Sequence, residues 1–185
     1  VWARWLLPYI KARRMGQHDI RNIAHFSGQN LWFFAVGLIP FSQLFAFEFS
    51  FPLWVALFAP IFLSERLTGT RIAAAIIGFI GILIVARPDQ MELGPGVIAA
   101  FFCAIGFAGA SIGTKLLTRT ETTVSILFWL TALQLIFGLI ITLYDGEIKL
   151  PDTVSGPWVF LVALCGLSAH FCITNAMTLD AATVV

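Results

Sequence analysis

Charge is what this chain has least of. Asp, Glu, Lys and Arg together make up 11% of 185 residues, where a soluble domain carries about a quarter. The net charge of +1 argues against nucleic acid as a partner, because phosphate-backbone binding needs a basic surface. Cysteine is scarce too. Cys103, Cys165 and Cys172 each lie inside an apolar run, with no spacing that suits a metal site or a disulfide framework, so they read as small buried side chains. No nucleotide-binding motif is present, so ATP is not expected as a driver, and no cofactor is expected. Period-two alternation is missing as well, which excludes a membrane β-barrel. There is no signal-peptide pattern of basic, apolar and cleavage regions.

Apolar residues fill the space that charge leaves. They reach 59% of the chain, and Phe alone occurs 18 times against 11 for Lys and Arg together. Mean hydropathy is +0.91. A water-soluble core of this size cannot hide so much apolar surface, so lipid must cover much of it. A bilayer core of roughly 30 Å needs about 20 helical residues. Apolar runs of that order cover residues 20–38, 41–62, 70–86, 94–117, 124–144 and 157–177. Residues 1–10 read as the tail of one more span and 181–185 as the first turn of another, so a piece of a longer protein is expected. Backbone groups in lipid must be satisfied within their own segment, which leaves helices as the structure. The fold class expected is an all-α polytopic membrane protein of about seven spans and the start of another.

Loop charges set an orientation. With the loop after the first span taken as cytoplasmic, Lys11, Arg13, Arg14, Arg21, Arg66, Arg71, Lys115 and Arg119 fall inside, and only Arg87 and Lys149 outside. Such a bias over short loops orients a membrane protein. Arg4 falls within the first span. The segments Ala35–Ser42 and Ala176–Thr183 echo each other, each leaving a helix, turning and entering another, after an odd number of crossings. Inverted repeats of this kind are a habit of secondary transporters.

Four local motifs resemble one family. Phe51-Pro52-Leu53 puts a proline thirteen residues before Glu65. Ser64-Glu65-Arg66-Leu67-Thr68 is similar to a G-E-R-L-T turn, with Ser in place of Gly. Gly78-Phe79-Ile80-Gly81 leads into a run that closes at Arg87-Pro88, and Trp2-Ala3-Arg4-Trp5 carries an early arginine. Together they resemble the EamA-type transporters of the drug/metabolite superfamily. The resemblance implies ten helices in inverted five-helix repeats, with both termini cytoplasmic. The first repeat would be residues 1–88, without its N-terminal helix. The second would be residues 89–185, without its C-terminal helices. It also implies a bacterial inner (plasma) membrane location.

Polar residues at membrane depth are the candidates for function, since a charge there costs roughly 2.5–3.5 kcal/mol on insertion scales. Glu48 stands one turn before Pro52 and would contact a substrate cation or couple transport to protons; pairing with Arg4 is the structural alternative. Pro52 and Pro60 would free carbonyls of the preceding turn. Arg4 would bind an anionic group or pair with Glu48. Gln29 and Asn30 would line the same cavity or bond between helices, and Gln43, Ser111 and Asn175 are further polar lining. His170 is more simply a packing residue. Lys115 would snorkel to the headgroups. Trp32, Trp54, Trp129 and Phe107 would give apolar walls, and Trp158 an interfacial anchor. Glu65 would cap the next helix near Thr68. Small pairs at Gly109/Gly113, Gly106/Ala110 and Ala74/Gly78 would let helices approach closely.

Two rival readings stand beside transport. Gly109-Ala110-Ser111-Ile112-Gly113 matches the G-x-S-x-G pattern of serine hydrolases, which with His170 would make an intramembrane protease, but that motif requires a strand-to-helix elbow. A non-transporting membrane scaffold is the other. The expectation carried forward is a transporter rather than an enzyme. It would move a small metabolite or drug-like molecule by alternating access, with protons as the candidate coupling ion and the lipid bilayer as its surroundings. Its substrate site would comprise Glu48, Arg4, Asn30, Gln43, Trp54, Ser111 and Asn175, with no metal.

Overall fold

A computed structural model describes residues 10, 13–65, 68–87, 92–146 and 150–182. Arg4 lies outside the described residues, as do Trp2, Trp5, Lys11, Arg66, Leu67, Pro88 and Lys149. Among the described residues the chain is helical throughout, with no strand. The helices are α1 (Met15–Val36), α2 (Phe41–Glu48), α3 (Phe51–Phe62), α4 (Gly69–Ala86), α5 (Pro95–Thr118), α6 (Thr123–Asp145) and α7 (Gly156–Leu179).

Five segments are long and apolar enough to cross a bilayer: Phe41–Phe62, which joins α2 to α3, then α4, α5, α6 and α7 (to Tyr144 in α6). The expected span at 20–38 is not among them. Its helix, α1, starts at Met15 and carries His18, Arg21 and Asn22 on a buried face. Such a helix is kept in place by its neighbours rather than by apolar composition. Arg21 therefore leaves the set of loop charges; it is 3% exposed inside the bundle.

The expected single span at 41–62 is interrupted. Helix α2 ends at Glu48, Phe49 and Ser50 turn, and α3 restarts at Phe51 with Pro52 in its first turn. A proline there loses no helical hydrogen bond, so Pro52 starts a helix instead of kinking one. Pro60 alone sits inside α3.

Helix α5 is the axle of the bundle. It packs most extensively on α1, and also on α2, α3, α6 and α7. Its sequence explains this, because small residues bring backbones together. A Cβ added to Gly106 would stand 3.0 Å from both the carbonyl oxygen of Ala24 and Cα of Gly28. One added to Gly113 would meet Cβ of Arg21 at 2.9 Å, whereas one at Gly109 would make an ordinary 3.6 Å contact with Ala24. The pairings run antiparallel, from Arg21 with Gly113 to Leu38 with Gly96. Two apolar clusters flank the axle: Ala35 and Leu44 with Ala99 and Ala100, and Val55, Ala59 and Leu63 with Ala108 and Ile112. The outer helices turn apolar surface outward. Ile76, Ile77 and Ile84 of α4 and Phe160 and Val162 of α7 are all more than half exposed, as lipid contact demands. Cys165 and Cys172 are exposed on α7, and only Cys103 is buried; the expectation of burial fails for the first two because α7 offers most of its surface outward.

Basic side chains hold the helix ends where α3, α5 and α7 finish. Lys115 Nζ donates to the carbonyls of Met177 (2.6 Å) and Asp180 at the end of α7. Arg119 Nη2 donates to the carbonyl of Leu63, 2.8 Å away, just beyond α3. These satisfy carbonyls that a helix end leaves open, and Lys115 thus turns into the protein rather than out to headgroups. Glu65 is also used differently from expectation. Its Oε1 accepts from the backbone N–H of Ala182 at 3.1 Å, while the cap of α4 is Thr68, whose Oγ1 accepts from the N–H of Arg71.

Candidate functional site

The interruption at Phe49–Ser50 places Glu48 at the end of a short helix, beside α1. Its Oε2 accepts a 2.6 Å hydrogen bond from Nε1 of Trp32. Glu48 and Pro52 share the wall of a cavity of about 510 Å³ lined by α1, α2, α3, α5 and α7. Phe51, Val55 and Phe107 supply its apolar lining, and Ser111, Thr114, His170 and Thr174 its polar lining.

Arg21 enters the same cavity from α1. Its Nε donates to Oγ1 of Thr114 on α5, and its Nη1 to Oδ1 of Asn22, both at 3.0 Å. Each acceptor is itself fixed: Thr114 Oγ1 donates to the carbonyl of Ala110 and Asn22 Nδ2 to that of His18, both at 2.8 Å. Gly113 lets the stem of Arg21 lie flat on α5. The guanidinium is thus held in one orientation by neighbours on two helices. Four residues on, His25 faces His170 of α7 with ring centroids 5.1 Å apart, and Phe107 at 5.7 Å. Gln134 of α6 ties this stretch down by donating to the carbonyl of Asn22 at 3.2 Å.

The expected site residues divide. Glu48 and Ser111 line the cavity together. Gln43 lines a separate hollow of about 520 Å³ with Ser42 and Arg87. Asn30 is exposed and its Nδ2 donates back to the carbonyl of Phe26 in its own helix at 2.7 Å, so it does not reach the cavity. Trp54 packs on Phe58 and stands edge-on to Phe101, behind the cavity wall. Asn175 accepts from Oγ1 of Thr123 at 3.0 Å, joining α7 to α6. Of the other aromatics, Trp129 packs against His18. Ala74 and Gly78 face a third hollow of about 710 Å³ between α4 and the α2–α3 segment.

Sequence reasoning missed Arg21, His25, Thr114 and Thr174. A signal was available in α1: His18, Arg21, Asn22 and His25 follow i, i+3, i+4, i+7, one face of a helix. Placing Arg21 in a loop concealed it.

The Ser111–His170 alternative has both residues on this cavity. Ser111, however, sits within the continuous helix α5, which lacks the sharp elbow a nucleophilic serine requires. Among the described residues no group of three or more His, Cys, Asp or Glu could hold a metal.

Residues 22–87 match the EamA-like transporter family. The chain is 28% identical over 132 residues to an S-adenosylmethionine uptake transporter of Rickettsia bellii, covering 67% of this chain and 45% of that protein. It is 29% identical over 164 residues to a riboflavin transporter of Brucella anthropi, covering 86% and 57%. It is 28% identical over 171 residues to a riboflavin transporter of Vibrio cholerae, covering 85% and 55%. The chain thus spans about half the length of the curated relatives it matches. No solved structure matches it. The matched family and these relatives are transporters rather than enzymes, and it is residues 22–87 that carry the likeness to the EamA-like transporter family.

Proposed function

We propose that this chain is part of a secondary transporter that carries a small metabolite across a bacterial inner membrane by alternating access. The observation that carries the reading is the 510 Å³ cavity inside an apolar helical bundle, with an acid, Glu48, and a cation, Arg21, on its wall. Charges at membrane depth are costly and mark substrate or ion pathways by default. Size agrees, since sites for small molecules run to roughly 300–1,000 Å³. The names of the relatives, S-adenosylmethionine and riboflavin transporters, support a metabolite of that scale.

In this reading residues 1–88 and 89–185 belong to two inverted repeats of a ten-helix transporter, and the cavity lies between them. The family match ending at residue 87 supports a boundary there. The break after Glu48 is the hinge, because the turn at Phe49–Ser50 lets α2 and α3 tilt separately. Glu48 is the coupling carboxylate, taking a proton when the cavity faces one side and releasing it on the other. The experiment is uptake of labelled S-adenosylmethionine and riboflavin by proteoliposomes of the full-length protein, with and without a pH gradient. Uptake that a gradient accelerates, and that Glu48→Gln uncouples from it, supports the reading. Equal gradient dependence in Glu48→Gln removes the proton step. No flux of any metabolite, with correctly folded protein, removes transport.

A further inference from the structure

Arg21 has more hydrogen-bonding capacity than the described residues use. A guanidinium has five N–H donors; among the described residues two are engaged, by Thr114 and Asn22, which leaves three. Among the described residues no carboxylate is within ion-pair distance of it, although it is 3% exposed. Removing a charge from water without a counter-ion costs several kcal/mol even after relaxation. A folded protein that keeps such a group in place, braced through Thr114 and Asn22, keeps it for a ligand.

Its chemistry names the ligand. The guanidinium fork matches the two oxygens of a carboxylate or phosphate, and it never loses its proton. The bracing bonds use Nε and one hydrogen of Nη1, so the free N–H groups belong to the two terminal nitrogens. Glu48, the acid on the same cavity wall, is held by Trp32 instead. Arg21 and Trp32 are eleven residues apart on α1, about 16 Å of helical rise. The two charges therefore serve different parts of the cavity and do not neutralise each other in direct contact.

We propose that Arg21 is the anion-binding group of this cavity and that the transported metabolite carries a carboxylate or phosphate which docks on it. This rests on the transport reading and narrows its substrate class. Thr114 and Asn22 are positioning residues, since they act through Arg21. His25 and His170 flank the place where the rest of the metabolite would lie.

The test is thermal stabilisation of the purified full-length protein by matched probes that differ in an anionic group. Riboflavin 5′-phosphate is set against riboflavin, methionine against methioninamide, and succinate against its dimethyl ester, with putrescine as a pure cation. At least one anionic member should stabilise the protein and its partner should not. Arg21→Gln should weaken that binding by about 10- to 100-fold, the loss of one or two charge-assisted hydrogen bonds. Arg21→Lys should keep part of it. Should Arg21→Gln fail to fold, Thr114→Val supplies the reading: a folded protein with a somewhat lower unliganded melting temperature and a smaller thermal shift with the anionic probe, whereas a thermal shift equal to that of the unsubstituted protein overturns the anion site. Stabilisation by riboflavin, methioninamide or putrescine that Arg21→Gln retains overturns the anion site, while accompanying uptake by proteoliposomes leaves transport standing. An absence of both binding and flux with every probe overturns both.

Discussion

Trp32 and Glu48 are joined by a 2.6 Å hydrogen bond from the indole Nε1 to the carboxylate, and this bond ties α1 to the point where the Phe41–Phe62 segment breaks. A tryptophan N–H donates only, so it can hold an acid in either protonation state without competing for its proton. We predict that position and charge separate by mutation. Trp32→Phe removes the donor and should cost about 1.5–3 kcal/mol of stability, the worth of a hydrogen bond to a charged group. Glu48→Gln keeps an acceptor for the indole and should leave stability within about 1 kcal/mol, while reducing uptake at least tenfold, as expected for a charge required at membrane depth. Thermal melts and proteoliposome uptake on the two variants check this; a stability loss in Glu48→Gln as large as in Trp32→Phe would make the acid structural.

The α1–α5 seam predicts a graded glycine series. A Cβ at Gly106 falls 3.0 Å from backbone atoms of Ala24 and Gly28, and backbone cannot step aside. Gly106→Val should therefore cost about 1–3 kcal/mol, the usual price of overpacking. Gly109→Ala meets Cβ of Ala24 at 3.6 Å, an ordinary contact, and gains up to about 1 kcal/mol in helix propensity; it should be neutral or slightly stabilising. Melting temperatures in one detergent give both values. Equal losses at the two positions would mean that the seam is looser than its geometry.

The small residues of α5 were readable because their spacing alone states which face can approach a neighbour: Gly106, Gly109 and Gly113 all meet α1. Apolar length was equally plain, and α4, α5 and α7 begin and end within a few residues of the runs that predict them. Arg21 was not legible by the same means. Charge counting treats any arginine near a span end as a loop residue, and only packing shows that Thr114 and Asn22 receive it inside the bundle. Asn30 fails for the converse reason. A polar residue in an apolar run can satisfy itself on its own helix, as Asn30 does on Phe26, and the sequence does not say which face it takes. Lys115 illustrates a third limit: its partners are carbonyls of residues more than sixty positions away, and carbonyls leave no trace in a sequence.

Lys115 is expected to matter to α7 alone. Its ammonium satisfies carbonyls of Met177 and Asp180. Lys115→Met removes both contacts but keeps an apolar stem of similar length. We predict a loss of about 1–2 kcal/mol, with faster amide exchange confined to residues 177–182. Exchange mass spectrometry resolves this, and unchanged protection there would show that the helix end does not depend on the lysine.

Acid should loosen the start of α7. The Asp152 carboxylate accepts from the hydroxyl of Ser155 at 2.6 Å, from the N–H of Ser155 at 2.7 Å and from the N–H of Val154 at 3.1 Å. The hydrogen bonds from Ser155, hydroxyl first and then backbone, hold its pKa below the usual 3.8. A depressed carboxylate stabilises the fold above its unfolded pKa, and that contribution disappears as pH falls through the folded value. The turn at 152–155 should therefore be equally protected from neutral pH down to about 4, then open below it. Asp152→Asn should show the open behaviour at all pH values. Amide exchange at Val154 and Ser155 across pH 3–7 decides it, after correction for intrinsic rates; a pH-independent turn would remove the carboxylate's role.

The charge asymmetry yields a sidedness prediction that does not depend on substrate. Arg13, Arg14, Arg71, Lys115 and Arg119 belong to the bundle end where α3, α5 and α7 finish, and Arg119 and Lys115 are bonded there to helix carbonyls. The opposite end carries Arg87 and the Asp152 turn. Lys and Arg in short loops stay on the cytoplasmic side of an inserted protein, so Thr120 should face the cytoplasm and Val154 the outside. Both are exposed. Cysteines placed there, with Cys103, Cys165 and Cys172 replaced by alanine, can be reacted in intact cells with a membrane-impermeant maleimide. Val154→Cys should label at once, and Thr120→Cys only after the membrane is opened. The reverse pattern would turn the bundle over and place the end held by Lys115 and Arg119 outside the cell.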